Sequence, residues 1–391
     1  MAATKPHSPS LSALTAAALA LPGVAAAEVQ ADALYAHYRE ADISGSRSAT
    51  GRDAPRYTID TLLVRVDAPL GERALSGNLT VETMSGASPW WVQPDQNGKP
   101  VQVMSGASIR EERVDVQLTY GLPLAGLDWA VSAGYSDEDD YRAVNGGIEA
   151  AYSPQAGAYT LSAGLGYSYD RLEPTRGASS PDVIERADKD SLTAYAGVSF
   201  IVDAQTTMQA ALSHGVYDGY LSDPYKRAFI TASAATVPDR RPSERHLWSL
   251  SAKLRHYFAG AGAALHADYR YYYDDWEIEA HALELAWHQT LAETWRVIPA
   301  LRWYSQSQAY FYAPYYTASR GDGLASSDYR LSPYGALSVR LDLRKVLGAW
   351  IVGGGIEWYA ADADYALGSV AVENPGLVEY LVLNLRLGRR F

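Results

Sequence analysis

The densest group of potential metal ligands lies in the segment YYYDDWEIEAH, residues 271–281. Asp274, Asp275, Glu277 and Glu279 place four carboxylates within six residues, and carboxylate oxygens are the ligands that Ca²⁺ prefers. Their spacing is not that of an EF-hand loop, and a solvated acidic loop tip would have the same composition. The sequence therefore leaves two alternatives here, a weak calcium site or an acidic loop.

A second polar group, residues 213–229, reads SHGVYDGYLSDPYKRAF and contains His214, Asp223 and Lys226. Ser213 and His214 are sequence neighbours, so in a strand their side chains point to opposite faces and cannot form a nucleophile–base pair. A hydrolase that uses His214 or His281 with nearby carboxylates stays a minor alternative, and we predict no catalytic residues.

Two further loops carry groups that could bind a ligand. The segment SRGDGLASSD, residues 319–328, offers Asp322 and Asp328 as a second weak calcium site. Trp90 and Trp91 form an aromatic pair that could stack on a sugar, although paired tryptophans more commonly anchor a loop at a membrane interface.

The elements that must position these residues are strands. From residue 32 onward, segments of about ten residues alternate apolar with polar or small side chains, and a period of two is typical of strands with two different faces. We count sixteen such segments, the first at residues 32–43, the fourteenth at 330–344 and the last at 378–391. The sequence thus predicts an all-β protein.

The connections between these segments alternate between short and long. Short ones include PLGER (69–73) and KVLG (345–348), whereas residues 218–245 and 305–329 are long. Short periplasmic turns and long outer loops are typical of outer-membrane barrels. We therefore predict a transmembrane antiparallel β-barrel of about 16 strands in the outer membrane of a Gram-negative bacterium.

Aromatic residues support the membrane interpretation. The chain has 29 Tyr and 10 Trp against 5 Phe, and rings with a polar group suit the membrane–water boundary. The predicted interface aromatics are Trp129, Trp248, Trp295, Trp303, Trp350, Trp358 and Phe391. Phe391 closes an alternating strand, which is the usual end of an outer-membrane barrel.

The N-terminal segment is typical of an exported protein. Lys5 precedes the apolar run LSALTAAALALPGVA, and Ala25-Ala26-Ala27 is a suitable cleavage site. We predict a signal peptide at residues 1–27 and a single barrel domain at 28–391. The net charge of −12 argues against a nucleic-acid partner, and the absence of cysteine excludes disulfides and cysteine-ligated metals.

The polar face of the predicted barrel carries many charges, and the basic ones concentrate in its second half. The predicted lumen-lining residues there are Lys253, Arg255, Arg270, Arg296, Arg302, Arg340, Arg344, Arg386, Asp268, Glu284 and Glu357. The first eight strands contribute more acidic than basic inward residues, so the lumen is expected to carry a transverse field. The alternative is a lumen in which these charges pair around a plug or an inward-folded loop.

Several long strings resemble an uncharacterised family of bacterial outer-membrane proteins, the domain-of-unknown-function family thirty-five-seventy. They include SGASPWW, LSHGVYDGYLSDPYK, RPSERHLWSLSAKLRHYF and ADYRYYYDDWEIEAHALELAWHQ, and the resemblance covers nearly the whole mature chain. It implies the barrel architecture and an association with envelope lipoproteins and redox or metal-handling proteins, but no established activity.

From these observations we expect a porin-like channel or passive transporter for small polar or ionic solutes, without a cofactor apart from Ca²⁺ at the outer loops. The main alternative is a scaffold barrel that docks a periplasmic lipoprotein or redox partner. The other expected partners are outer-membrane lipid, lipopolysaccharide and, through the C-terminal strand, the barrel-assembly machinery.

Overall fold

A computed structural model of the chain describes residues 28–105, 109–154, 157–175 and 184–391. Across these ranges, sixteen antiparallel strands close into one barrel, as the alternation predicts. The predicted signal peptide, residues 1–27, lies outside the described residues.

Twenty strands occur in the described residues, of which sixteen form the barrel and four form two small hairpins. Their bounds are β1 Gln30–Glu40, β2 Thr58–Leu70, β3 Arg73–Gly86, β4 Pro89–Pro94, β5 Pro100–Met104, β6 Ile109–Leu124, β7 Leu127–Glu138, β8 Tyr141–Tyr152, β9 Tyr159–Leu172, β10 Ala187–Ile201, β11 Thr206–Gly219, β12 Arg227–Ile230, β13 Ala235–Pro238, β14 Glu244–Phe258, β15 Ala263–Asp274, β16 Glu279–Leu291, β17 Trp295–Gln306, β18 Tyr334–Leu347, β19 Trp350–Asp362 and β20 Glu379–Arg390.

The barrel strands follow one another in chain order, and β1 pairs with β20 from Gln30↔Arg390 to Glu40↔Tyr380. This pairing closes the sheet and leaves no free edge. On β20, Leu381, Leu383, Leu385 and Leu387 are all exposed on the outer face. Because every backbone group of a closed barrel pairs within the sheet, and because this outer face is apolar, the protein is a barrel of the bacterial outer membrane.

Several predicted strand boundaries differ from the structure by a few residues: the first segment, predicted at 32–43, is β1 at Gln30–Glu40, and the last, predicted at 378–391, is β20 at Glu379–Arg390. The fourteenth barrel strand was expected to begin at residue 330, but β18 begins at Tyr334 because a 3₁₀ turn occupies Tyr329–Leu331. The Asp328 carboxylate caps this turn by accepting a hydrogen bond of 3.1 Å from the backbone N–H of Arg330. Throughout the described ranges, no helix is long and apolar enough to cross a membrane.

The long loops form a folded cap at one end of the barrel, which we define as residues 41–57, 87–105, 220–243, 307–333 and 363–378. The cap contains the hairpins β4–β5 and β12–β13. It also supplies most of an apolar cluster in which Ala309, Phe311, Tyr312 and Leu331 pack with Trp276 of the neighbouring β15–β16 turn.

Contacts within the cap cross the mouth of the barrel. The Lys226 ammonium, in the loop between β11 and β14, donates a hydrogen bond of 3.0 Å to the carbonyl oxygen of Pro89, in the loop between β3 and β6. These loops leave the barrel on strands that are six positions apart in the ring of sixteen. The cap therefore extends over the lumen and does not merely surround its rim.

Candidate functional site

A chamber with a volume of about 460 Å³ lies beneath the cap. Its sides are inward-facing residues from the outer half of the barrel, and cap residues that include Asp223, Arg241 and Arg330 also line it. Pockets of ~300–1,000 Å³ accommodate small molecules, so the chamber is large enough for a small solute.

One wall of the chamber is basic. It carries Arg245 on β14, Arg270 on β15 and Arg302 on β17. Successive side chains of a strand point to opposite faces. Since the neighbouring residues Tyr269 and Leu301 are exposed on the outer face, Arg270 and Arg302 point inward. The same local pattern that predicts the strands therefore also places these guanidinium groups in the lumen.

The three arginines of this wall differ in their partners. The Nε of Arg245 donates to the Asp274 carboxylate over 2.8 Å, and the Arg245 guanidinium lies 4.2 Å from the ring centre of Trp276. Arg270 and Arg302 are both exposed to the lumen, and neither has an ion pair with any carboxylate of the described residues. The basic wall thus carries two guanidinium groups that are not in an ion pair, although Glu284, which pairs with Arg340, is the register partner of Arg302.

The opposite wall is acidic. The nitrogen–oxygen distances from the Arg113 guanidinium on β6 are 3.0 Å to the carboxylate of Glu82, 3.6 Å to that of Glu138 and 3.8 Å to that of Asp115. Glu111 is also buried on this side. One cation is therefore surrounded by several carboxylates, and the wall as a whole is negative.

The strand order places the two walls across the lumen from each other. β3, β6 and β7 are the third to fifth strands of the ring, whereas β15 and β17 are the eleventh and thirteenth. β3 and β15 are eight positions apart in the ring, as are β7 and β17, and eight positions are half of a sixteen-stranded barrel. The division into acidic and basic halves that the sequence predicts is therefore present in the geometry of this chamber.

A buried ionic network holds the cap together above the chamber. The Asp328 carboxylate, which is 0% exposed, pairs with Arg330 and accepts a hydrogen bond of 2.8 Å from Arg241. Arg241 also donates to Asp239, and Arg330 also donates to Asp223, each over 2.8 Å.

Lys226 completes the network, with its Nζ 3.8 Å from Asp328. Among the described residues of this network, three carboxylates and three cations therefore balance, which offsets the cost of removing them from water.

The network shifts the pKa values of its members in opposite directions. Burial would raise the pKa of Asp328, but Arg330, Lys226 and Arg241 together hold it well below its usual range. Burial raises the pKa of Asp239 by more than Arg241 lowers it. Burial also lowers the pKa of Lys226. Asp328 is therefore the carboxylate whose negative charge the cap stabilises most strongly.

A second buried ion pair joins the first and last cap loops. Arg56 pairs with Glu40, and both side chains are buried. The Nη1 of Arg56 also donates a hydrogen bond of 2.9 Å to the carbonyl oxygen of Gly376. Since the first and last barrel strands adjoin, this contact closes the cap on the side where the barrel itself closes.

The other predicted lumen residues lie on the inward faces of their strands, and some of them form ion pairs. Arg255 pairs with Asp268, and Arg340 lies 2.8 Å from Glu284 and 3.2 Å from Asp342. Arg386 pairs with Asp32 across the closing seam, and Glu357 accepts a hydrogen bond from Ser338. Lys253, Arg296 and Arg344 lie on the same inward faces.

The structure does not bring together the four carboxylates of the acidic turn. Asp274 is fully buried and turns inward to Arg245, whereas Asp275, Glu277 and Glu279 are exposed. In the described part of the chain, the carboxylates that converge are Glu111, Glu138 and Asp140, whose oxygens lie within 4.8 Å of one another.

The second weak calcium site is also not assembled. Asp328 lies in the cap network, whereas Asp322 pairs at the surface with Arg320 over 2.7 Å. The two carboxylates therefore have different cationic partners.

The predicted interface aromatics lie at both ends of the barrel wall. Trp248, Trp295, Trp350, Trp358 and Phe391 are well exposed. The indole nitrogens of Trp129 and Trp303 donate to the carbonyl oxygens of Leu124 and Tyr365. This arrangement suits rings that contact lipid on one side and the polar boundary on the other.

The histidines considered for hydrolysis lie outside the lumen. His214 faces outward and packs against Trp248 in a tilted arrangement, with ring centres 4.2 Å apart, whereas Ser213 is buried on the opposite face. His281 lies beside the Tyr269 hydroxyl, 2.8 Å away. Neither histidine adjoins the chamber.

The sequence predicts an acidic inward face in the first half of the barrel, but it does not predict the cap network. The sequence singles out Asp223, Lys226 and Asp328, but their partners Arg241 and Arg330 lie in other parts of the chain. One local signal was available for the cap: Asn97-Gly98 is a common hairpin turn. In the structure the Asp95 carboxylate accepts hydrogen bonds of 2.8 Å from the backbone N–H groups of Asn97 and Lys99 there.

A family model described as a protein of unknown function (DUF3570) matches residues 11–376 of the chain. No curated protein matches the sequence.

Among solved structures, the barrel is similar to a mutant of the ferric enterobactin receptor PfeA of Pseudomonas aeruginosa, with 12% identity and a TM-score of 0.44. That alignment covers 92% of this chain and 59% of the receptor, so this chain spans about three-fifths of the receptor's length.

The P. putida toluene transporter TodX is similar at 8% identity with a TM-score of 0.44, over 93% of this chain and 90% of TodX. The P. aeruginosa outer membrane protein opdK is similar at 9% identity with a TM-score of 0.40, over 93% and 99%. Similarities this distant carry no argument about a solute.

Proposed function

Since the chain belongs to the family of unknown function DUF3570 and forms an outer-membrane barrel, we propose that it is a channel for small polar or ionic solutes. The observation that carries this proposal is the chamber, whose acidic and basic walls face each other across the lumen. Opposed charged side chains in a pore orient water and discriminate between ions.

Solvent exposure of the lumen charges supports an aqueous path. Arg270 and Arg302 are exposed although they point inward, and Arg255 and Asp268 near the short-turn end keep 27% and 38% of their side-chain surface exposed. Isolated charges in a dry interior would cost many kcal/mol. A water-filled lumen removes that cost.

The cap suggests that passage is gated at the outer mouth. Its loops meet over the lumen and hold one another through the Asp328 network, whereas the strands beneath them form a continuous wall. Solutes that enter from outside must therefore pass through gaps in the cap or wait for its loops to separate.

Ion selectivity in a planar bilayer tests this proposal. We expect Arg302→Ala to shift the reversal potential in a KCl gradient toward cation selectivity, because it removes from the chamber a positive charge that is not in an ion pair. Arg340→Ala should shift it in the same direction by leaving Glu284 and Asp342 without their shared cation.

Arg389→Ala is the matched control, since Arg389 lies beside the outer-face rings of Trp350 and Phe391. Its reversal potential should equal that of the wild type. Equal reversal potentials in all four proteins would contradict the proposal. A folded barrel without conductance would favour the scaffold alternative.

A further inference from the structure

Arg270 and Arg302 stand out among the charged groups of the chamber. The cap arginines Arg241 and Arg330 are buried in ion pairs, and Arg113 lies among carboxylates. Arg270 and Arg302, by contrast, are exposed to the chamber and have no carboxylate partner among the described residues. Their guanidinium groups therefore keep their hydrogen-bonding capacity available for a solute.

The strand between these two arginines leaves room for a ligand. Arg270 on β15 aligns with Ala282 on β16, and Ala282 aligns with Tyr304 on β17, two residues from Arg302. The inward neighbour Ala280 is also small. Adjacent strands lie about 4.8 Å apart, so the backbones that carry the two arginines are separated by about 10 Å across β16. The inward residues of β16 there are the small Ala280 and Ala282, followed by Glu284 opposite Arg302.

The inward carboxylate nearest the site is Glu284, the register partner of Arg302 on β16, and it is engaged in an ion pair of 2.8 Å with Arg340. The Tyr304 hydroxyl donates to Gln306 over 2.6 Å, so it is already engaged. Trp276 and Ile278 supply apolar lining at the outer side of the chamber. Two cations at the edge of a partly apolar chamber repel each other, and an anion between them would relieve that repulsion.

We propose that Arg270 and Arg302 form a binding site for a small oxyanion, a carboxylate or a phosphate, carried by a free solute. Guanidinium groups bind both anions through paired, parallel hydrogen bonds. The proposal deepens the proposed channel function, on which it rests, by naming the class of solute that the chamber retains. An open channel with such a site would show saturable passage of anions.

Calorimetric titration of the refolded barrel in a zwitterionic detergent tests the site, with inorganic phosphate and succinate as separate probes. We expect saturable binding of at least one probe to the wild type. Arg270→Gln and Arg302→Gln should each weaken that binding by about tenfold or more, because each removes charge-assisted hydrogen bonds.

Arg296→Gln is the matched control. Arg296 lies on the same face of β17 as Arg302, six residues nearer the short-turn end, and its replacement changes the charge by the same amount. Its affinity should equal that of the wild type. Equal affinities in all four proteins, or no saturable binding of either anion to the wild type, would overturn the proposal.

Arginine modification of the wild type provides a second test that needs no variant. Phenylglyoxal should label Arg270 and Arg302, and bound phosphate or succinate should slow their labelling more than that of Arg296. Equal slowing at all three positions would count against the site. If vesicles containing lipopolysaccharide slowed the labelling while both free anions did not, the ligand would be a lipid phosphate. That result would overturn the proposal of a free solute.

This experiment separates failure of the site from failure of the channel. Binding at Arg270 and Arg302 in a barrel that does not conduct would contradict the channel but not the site. Conductance without saturable anion binding would contradict the site but not the channel.

Discussion

Asp328→Asn should open the cap while leaving the barrel folded. The substitution preserves the shape of the side chain but removes one of the three negative charges in the cap network. Among the described residues, the carboxylates that remain in this network for Arg330, Arg241 and Lys226 would then be Asp223 and Asp239. Three buried cations with two carboxylates are unfavourable, and separation of the loops restores their contact with water.

The size of the effect follows from the burial of this carboxylate. The Asp328 side chain is 0% exposed and is paired with two guanidinium groups. Removing one partner of a buried ion pair costs about 3–5 kcal/mol. Each 1.4 kcal/mol is a factor of ten, so the population with an open cap should rise roughly a hundredfold to a few thousandfold.

Hydrogen exchange measured by mass spectrometry on the refolded protein detects this change. The peptides to compare span residues 223–241 and 309–331, where Arg240 and Ala325 exchange backbone hydrogen bonds of 2.8 and 2.9 Å. Their exchange should accelerate in Asp328→Asn, whereas exchange in β20 should not, because local opening leaves the barrel intact.

Asp322→Asn is the matched control for this experiment. Asp322 lies in the same loop and also pairs with an arginine two residues away, but at the exposed surface. Exchange in both cap peptides should be unchanged in this variant. If Asp328→Asn also left their exchange at the wild-type rate, the role assigned to the buried network would be refuted.

Two further predictions concern local packing and pH. Gly335→Ala should reduce the folded fraction, measured by heat-modifiability on a gel, because its Cβ would collide with the backbone of Tyr365. Gly134→Ala should be tolerated, because the three atoms nearest to its Cβ all belong to the flexible side chain of Gln117. Acidification should open the cap: the depressed pKa of Asp328 means that its contribution to stability is present above pH 3.8 and is lost as the pH falls through its lower folded-state pKa. The raised pKa of Asp239 gives the opposite pH dependence. Its contribution to the stability of the cap is present below pH 3.8 and is lost as the pH rises through its folded-state pKa. Hydrogen exchange of the two cap peptides, measured in the wild type and in Asp328→Asn at pH values above and below 3.8, tests both signs. Opening of the cap on acidification that persists in Asp328→Asn would contradict the assignment to Asp328.

The barrel could be predicted from the sequence because its determinants are local. A strand with one face toward lipid and one toward the lumen must alternate apolar and polar side chains. This alternation from Leu381 to Leu387 is visible in the sequence of β20 alone. The same alternation places Arg270 and Arg302 in the lumen. The number of strands and the face of each residue therefore follow from period and connection length.

The partners of the inward charges could not be predicted in this way. Alternation fixes the face of Arg340 but not its position beside Glu284, which lies 56 residues earlier in the chain. The contact depends on the registers of β16, β17 and β18 together. Whether an inward arginine is paired or free is therefore a property of the folded sheet.

The cap is the least predictable part of the molecule. Arg330 donates to Asp223 across 107 residues of sequence, and no periodic pattern links two loops that meet over the mouth. Asp328 looks like one acidic residue in a glycine-rich loop, as Asp322 does. Only the fold distinguishes the buried carboxylate from the exposed one.

Single-channel recording of the refolded wild type and of Asp328→Asn, side by side in planar bilayers, tests the central claim most directly. A gated aqueous lumen predicts discrete conductance steps in both proteins, with an amplitude that rises with salt concentration and a longer open time in Asp328→Asn. Electrically silent membranes with both proteins, each verified as folded by heat-modifiability on a gel, would contradict the channel.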